Sequence, residues 1–130
     1  MGFSGGVHPQ SCKELTSGKP IGRCPDPERV YLSLVQHIGA PAEPVVSEGD
    51  RVLIGQLVAK KADGLSANIY SPIAGTVKGI VGHITRSGKK SPHIYIENDY
   101  SEESVRLEPL SSLTQSSVLS RIEEAGIVGM

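Results

Sequence analysis

The alternation of apolar and polar residues divides the chain into three regimes. Up to about residue 27 there is no periodicity: Gly5, Gly6, Pro9, Gly18, Pro20, Gly22, Pro25 and Pro27 recur too densely for any long regular element. This stretch predicts an extended arm over 1–27. Fixing such an arm costs roughly 1–2 kcal/mol per residue in chain entropy, so it is expected to lie along the domain or along a partner. From Arg29 the pattern switches to period two, with Val30, Leu32 and Leu34 alternating with Tyr31 and Ser33, the signature of a strand with one buried face.

The stretch from Glu43 to Ala59 and the stretch from Ile69 to Ile80 carry the strongest fold signal. Gly49-Asp50 and Gly55-Gln56 place glycine where tight reversals require positive φ, and Val46, Val52, Leu57 and Val58 supply apolar strand positions between them. Pro72 cannot donate to a ladder and ends the next strand. Gly75 is expected to make a second sharp turn before Thr76-Val77-Lys78. The order V-x-x-G-D-x-V-x-x-G-Q-L, then S-P-x-x-G-T-V, resembles the barrel-sandwich hybrid of lipoyl and biotinyl domains, in which two similar halves fold over one another. Val77–Ile84 and His93–Glu97 then predict a closing hairpin around a basic turn, Arg86–Lys90, and Asn98–Glu103 marks the expected domain edge. The last regime is helical: Thr114 or Ser116 as cap, a stripe of Val118, Leu119 and Ile122, and Gly126 as stop. The predicted organisation is therefore a mainly β fold in three parts: arm (1–27), barrel-sandwich hybrid (28–100), and linker with a short helix (101–130).

Composition narrows what such a fold does. Thirteen basic against 14 acidic residues give no field that would gather nucleic acid. One Phe, four Tyr and no Trp leave no stacking platform for single strands. No apolar run approaches the roughly 20 residues a spanning helix needs, and the N-terminus lacks the charge and apolar core of a secretory signal. Direct membrane insertion is not expected.

Candidate chemistry is sparse. Cys12 and Cys24 lie twelve positions apart with no C-x-x-C, and are expected as free thiols. His8, His37, His83 and His93 share no ligand spacing, so no metal site is predicted. A carrier domain would need a modifiable Lys at the tip between its halves. The tip here is Ala62–Ser66, and Lys60 and Lys61 stand earlier, as a solvated strand end. A membrane-fusion-type adaptor would carry a long helical hairpin at that tip, and only five residues are present. Ser87-Gly-Lys-Lys-Ser91 hints at a phosphate loop, but His83 replaces its first glycine and Lys90 its Ser or Thr. No nucleophile motif such as G-x-S-x-G accompanies any histidine, so no catalytic residue is predicted.

Longer stretches carry a family resemblance. Phe3–Pro9, Lys13–Thr16, Gln36–Pro44, Gly49–Leu57, Ala62–Gly64, Ser87–Lys90, Ile96–Asp99, Leu107–Leu110 and Glu124–Met130 together resemble the start of the RnfC component of the Rnf electron-transport complex. The resemblance implies a peripheral subunit on the cytoplasmic face of the cell membrane. Its complex passes electrons between ferredoxin and NAD while translocating Na⁺ or H⁺. It further implies that the parent subunit continues into an FMN- and NADH-binding domain and two 4Fe-4S motifs, with Gly126 and Gly129 just ahead of a glycine-rich nucleotide loop. On this reading the chain is truncated before any cofactor site is complete. It is expected to be a docking module that meets the missing domains and the sister subunits, with a lipoyl- or biotinyl-type carrier as the alternative. The Gly5–Pro9 arm is read either as packing on the missing nucleotide domain or as a plain surface segment.

Overall fold

The structure is a computed structural model and describes residues 5–6, 10–36, 38–85 and 88–129. Among the described residues seven strands and one helix follow in order: β1 (Arg29–Ser33), β2 (Glu43–Pro44), β3 (Arg51–Val52), β4 (Leu57–Lys60), β5 (Ile69–Tyr70), β6 (Gly75–Ile84), β7 (Lys90–Asn98) and α1 (Gln115–Glu124). They form two antiparallel sheets, β1-β7-β6-β3 and β2-β4-β5. The core lies between the sheets: Val52, Val77, Ile94 and Ile96 from the first meet Val58, Ala59 and Ile69 from the second, with Leu34 and Ile73 closing the ends. The predicted alternation in β1 holds, with Val30 and Leu32 packed against this core and Tyr31 turned outward.

Four of the strands have only two to four residues, too few for ladder bonds alone to hold them, so the corners between them matter. Two of those corners use one local design. At Ser47–Asp50 the Asp50 carboxylate accepts from the Ser47 N–H at 2.8 Å and the Asp50 N–H donates to the Ser47 carbonyl at 3.1 Å. At Leu53–Gln56 the Gln56 Oε1 accepts from the Leu53 N–H at 3.0 Å, and the Gln56 N–H returns to the Leu53 carbonyl at 3.1 Å. The third residue of each corner, Gly49 (φ +92°) or Gly55 (φ +78°), sits in the left-handed region. Both Gly-Asp and Gly-Gln motifs are thus turns in which the polar side chain caps the turn's own start.

Gly75 departs from the expectation. It makes no turn: it opens β6 opposite Asn98, and a Cβ there would overlap the carbonyl of Glu97. Its requirement is close approach of two strands. The corner before it is made instead at Pro72, where Ser71 Oγ donates to the Ile73 carbonyl at 2.6 Å. β6 also carries a bulge between Val77 and Gly79, where Gly79 takes φ +116°.

The segment after β7 bonds back to the chain just past β3. Ile54 and Ser104 form a parallel bridge, the Ile54 N–H donates to the Glu103 carbonyl at 3.0 Å, and the Val105 N–H donates to the Ile54 carbonyl at 2.7 Å. Residues 99–105 are therefore a strap beside Ile54, just past β3, and Gly55 lets it sit close, because a Cβ there would collide with the Val105 carbonyl.

Core and strap should respond differently to substitution. Ile94→Ala, at a fully buried position, is expected to lower stability by about 2–5 kcal/mol in chemical denaturation. Gly55→Ala should instead lift the strap, read as faster hydrogen exchange at the Val105 amide with smaller loss at the core strands.

Candidate functional site

At the tip between the two halves, residues 62–66 form a turn that the chain itself closes. The Ala40 N–H donates to the Leu65 carbonyl at 2.9 Å, and Gly39, at φ +129°, lies so close to the same carbonyl that no Cβ would fit. Lys60 pairs in register with Glu43 on β2, and the Lys61 ammonium forms an ion pair with Glu123 of α1. The sequence suggests a solvated strand end at Lys61, whereas the structure makes it a tether to the helix. Neither lysine stands at the tip, where a carrier arm would swing.

Helix α1 is built at both ends by local chemistry. Thr114 Oγ1 accepts from the Ser117 N–H at 3.2 Å while Ser117 Oγ accepts from the Thr114 N–H at 3.0 Å, a reciprocal capping box. At the other end the Gly126 N–H donates to the Glu123 carbonyl and the Ile127 N–H to the Ile122 carbonyl, both at 3.1 Å, with Gly126 at φ +67°. This is the Schellman arrangement, and it uses Gly126 as the predicted stop. The same end is bound to the sandwich: Asn68 Nδ2 donates to the Glu124 carbonyl at 2.9 Å, the Tyr70 hydroxyl donates to that carbonyl too, and Gly126 abuts the Asn68 carbonyl. Arg121 adds bonds to Glu124, at 2.9 Å, and to the Glu108 carbonyl.

Yet no residue of α1 is buried. Val118, Leu119 and Ile122 remain 37–58% exposed, and Leu113, Ile127 and Val128 are more than half exposed. The helix is positioned by polar bonds at its last turn while its apolar stripe is only partly covered.

Arg51 organises the strap. Its guanidinium donates to Asp99 at 3.0 Å and to Glu103 at 2.8 Å. These bonds raise the Arg51 pKa, Glu103 contributing most and then Asp99. The Glu103 carboxyl is lowered chiefly by Arg51, and Asp99 chiefly by the Ser101 backbone N–H, with Arg51 adding to it.

The remaining candidates separate clearly. His8 and His37 lie outside the described residues, as do Arg86 and Ser87. His83 and His93, scattered in the sequence, come together on the larger sheet, ring centroids 5.5 Å apart, with Tyr31 5.1 Å from His83 and stacked on Tyr95 at 4.9 Å. His93 is 6% exposed, and its Nδ1 lies 2.9 Å from the Ser91 carbonyl. Only the hairpin register, His83 opposite Ser91, makes the cluster visible, and sequence spacing alone does not. Among the described residues no three His, Cys, Asp or Glu side chains are grouped to hold a metal. In the basic turn the Gly88 N–H donates to the Thr85 carbonyl and the Thr85 N–H to the Lys89 carbonyl, both at 2.9 Å, so these amides are not free to cradle a phosphate.

Comparison with known proteins decides the family. The family model for the RnfC barrel sandwich hybrid domain matches residues 1–101. The chain belongs to the RnfC family. It is 44% identical, over 98% of its length, to the RnfC-type component of the proton-translocating ferredoxin:NAD(+) oxidoreductase complex of Clostridium ljungdahlii, of which it covers 29%. It is 42% identical over 97% of its length to the corresponding component of the ion-translocating oxidoreductase complex of Rhodobacter capsulatus, covering 25% of that protein. Against the counterpart from Pseudomonas aeruginosa the identity is 38% over 98% of the chain and 17% of the relative. The chain therefore spans less than a third of these RnfC relatives.

Cys12 and Cys24 are both exposed and free. The Gly126 amide donates to the Glu123 carbonyl.

The clasp on Arg51 gives a pH test. Asp99 and Glu103 are more acidic folded than unfolded, so their contribution is complete above the ordinary carboxylate range and is lost as pH falls through their lowered folded values. The stability difference between the protein and Arg51→Met should therefore be full at neutral pH and shrink toward zero as pH drops to about 2, measured as urea midpoints. A difference independent of pH would remove the clasp.

Proposed function

We propose that this chain is the structural docking domain of the NADH-side subunit of a membrane-bound Rnf complex, whose electron transfer between ferredoxin and NAD drives Na⁺ or H⁺ across the membrane. The family match and the names of the relatives support the parent assignment. The observation that carries the docking role is α1: a helix capped at both ends and fixed to the sandwich through Glu123, Glu124 and Gly126, whose apolar stripe nevertheless stays 37–58% exposed. Short helices are marginal in water without apolar cover.

In this reading the parts are the arm (1–27), the sandwich (28–100), and the linker and helix (101–130) leading to an FMN- and NADH-binding domain. The arm supports the same picture. Leu15 is 82% exposed and Ile21 fully so, and no burial of these side chains against the sandwich offsets the cost of ordering them. The arm and α1 would both be covered by the nucleotide domain and by sister subunits. FMN, NADH and the two 4Fe-4S clusters belong to those further domains, and this domain performs no chemistry of its own. The subunit would sit peripherally on the cytoplasmic side of the membrane. No helix among the described residues is long and apolar enough to cross one.

Calorimetric titration of the 130-residue chain with FMN and with NADH should show no binding tighter than about 10 μM, equivalent to roughly 7 kcal/mol. Saturable binding below that level would contradict the reading. In the complete subunit, Leu119→Asp should release the domain from its neighbour, read as faster proteolysis in the linker ahead of α1, while the isolated chain keeps its melting temperature.

A further inference from the structure

β1 is an edge strand, and the ladder on its inner side fixes what its outer side offers. The Asn98 N–H donates to the Glu28 carbonyl at 2.9 Å and the Leu34 N–H to the Pro92 carbonyl at 3.0 Å. With Arg29 opposite Glu97 and Ser33 opposite His93, the hydrogen-bonded pairs are those of the even residues, so Val30 and Leu32 point their backbone groups at β7. The N–H and C=O groups of Arg29, Tyr31 and Ser33 therefore point away from the sheet.

The other three edges are shorter: β2, β3 and β5 have two residues each. The strap bonds to Ile54, just past β3, and the C-terminal end of α1 is held by the Asn68 and Tyr70 side chains beside β5. β2 is two residues long and one of them is Pro44. β1 has five residues with no Lys, Pro or Gly, no register shift in its pairing with β7, and a single charge at its first position. Edges left this way are templates for another strand.

Self-pairing fits this particular edge. If a two-fold axis passes through Tyr31, antiparallel pairing sets Tyr31 on Tyr31 of the second copy, Arg29 on Ser33, and Val30 on Leu32. All the outward N–H and C=O groups of each strand then face a complement in the hydrogen-bonded positions, because every outward residue is odd-numbered. On the inner face the half-buried Val30 and Leu32 cover one another, and on the outer face the 39% of Tyr31 still exposed meets its own copy. The stack of Tyr31 on Tyr95 would continue across the axis into the second copy's pair. No like charges stand opposite, since the two Arg29 side chains lie at opposite ends.

The geometry points to a second copy of this chain as the occupant of the β1 edge, joined antiparallel about Tyr31 so that the two larger sheets become one continuous sheet. A five-residue strand on each side makes a small interface, which puts the dimer in the weak, transient class, with dissociation on the order of 100 μM. This goes beyond the docking role above and does not depend on it.

The test is sedimentation velocity of the 130-residue chain from about 10 μM to about 1 mM, a range that brackets the dissociation constant expected for a weak interface, together with hydrogen exchange. Dimer mass should appear over that range, and the amides of Arg29, Tyr31 and Ser33 should slow severalfold at the high end, while those of Val30 and Leu32 are protected throughout. Tyr31→Lys sets two ammonium groups against each other at the axis and should stay monomeric at the highest concentration, with core amide protection unchanged as proof of folding. Arg29→Pro removes one outward donor from each copy, two in the dimer, without touching the ladder, and should weaken the dimer at least about tenfold. A chain that is monomeric throughout, a dimer whose odd-numbered amides stay fast, or a dimer undiminished by Tyr31→Lys would each overturn the proposal.

Discussion

The packing of Val77, Ile94 and Ile96 against Val58 and Ile69 is the interaction on which everything else rests. It is supplied by the one long hairpin, β6 and β7, whose pairing runs from Gly75 opposite Asn98 to Ile84 opposite Lys90. The other strands, two to five residues each, contribute at most two side chains apiece to that core and could not persist as ladders on their own. The two capped corners at Gly49 and Gly55 and the strap bonded to Ile54 hold them at the hairpin. Stability in this domain is thus concentrated in one element and distributed outward through turn chemistry.

That division explains what the sequence makes legible. The corners can be read because Gly-Asp and Gly-Gln are local: the glycine dihedral and the side chain that caps the turn belong to the same four residues. The helix and its stop at Gly126 can be read for the same reason. Gly75 misleads because its need for a missing Cβ comes from Glu97 on the neighbouring strand, and nothing nearby in the sequence reports it. The bonds of the strap are not legible in sequence, because its polar residues are turn-like while their partner, Arg51, stands far upstream on β3. The histidine and tyrosine group needs the hairpin register before His83 and His93 can be brought together.

Several basic side chains on the sandwich are held by acidic partners. Lys61 is held by Glu123, Arg51 by Asp99 and Glu103, Lys78 by Glu97 at 2.6 Å, and the amides of the basic turn by their own loop. Apolar surface, by contrast, stays partly open on α1 and along the arm.

The one-sided grip on α1 has a mechanical consequence. Its bonds to the sandwich are made at the last turn, through Lys61, Asn68 and Tyr70, while the Thr114 end is capped by its own serines. Such a helix behaves as a cantilever clamped at the small sheet. A load applied to its free end arrives as torque on β4 and β5, the two strands whose Val58 and Ile69 fill the centre of the core.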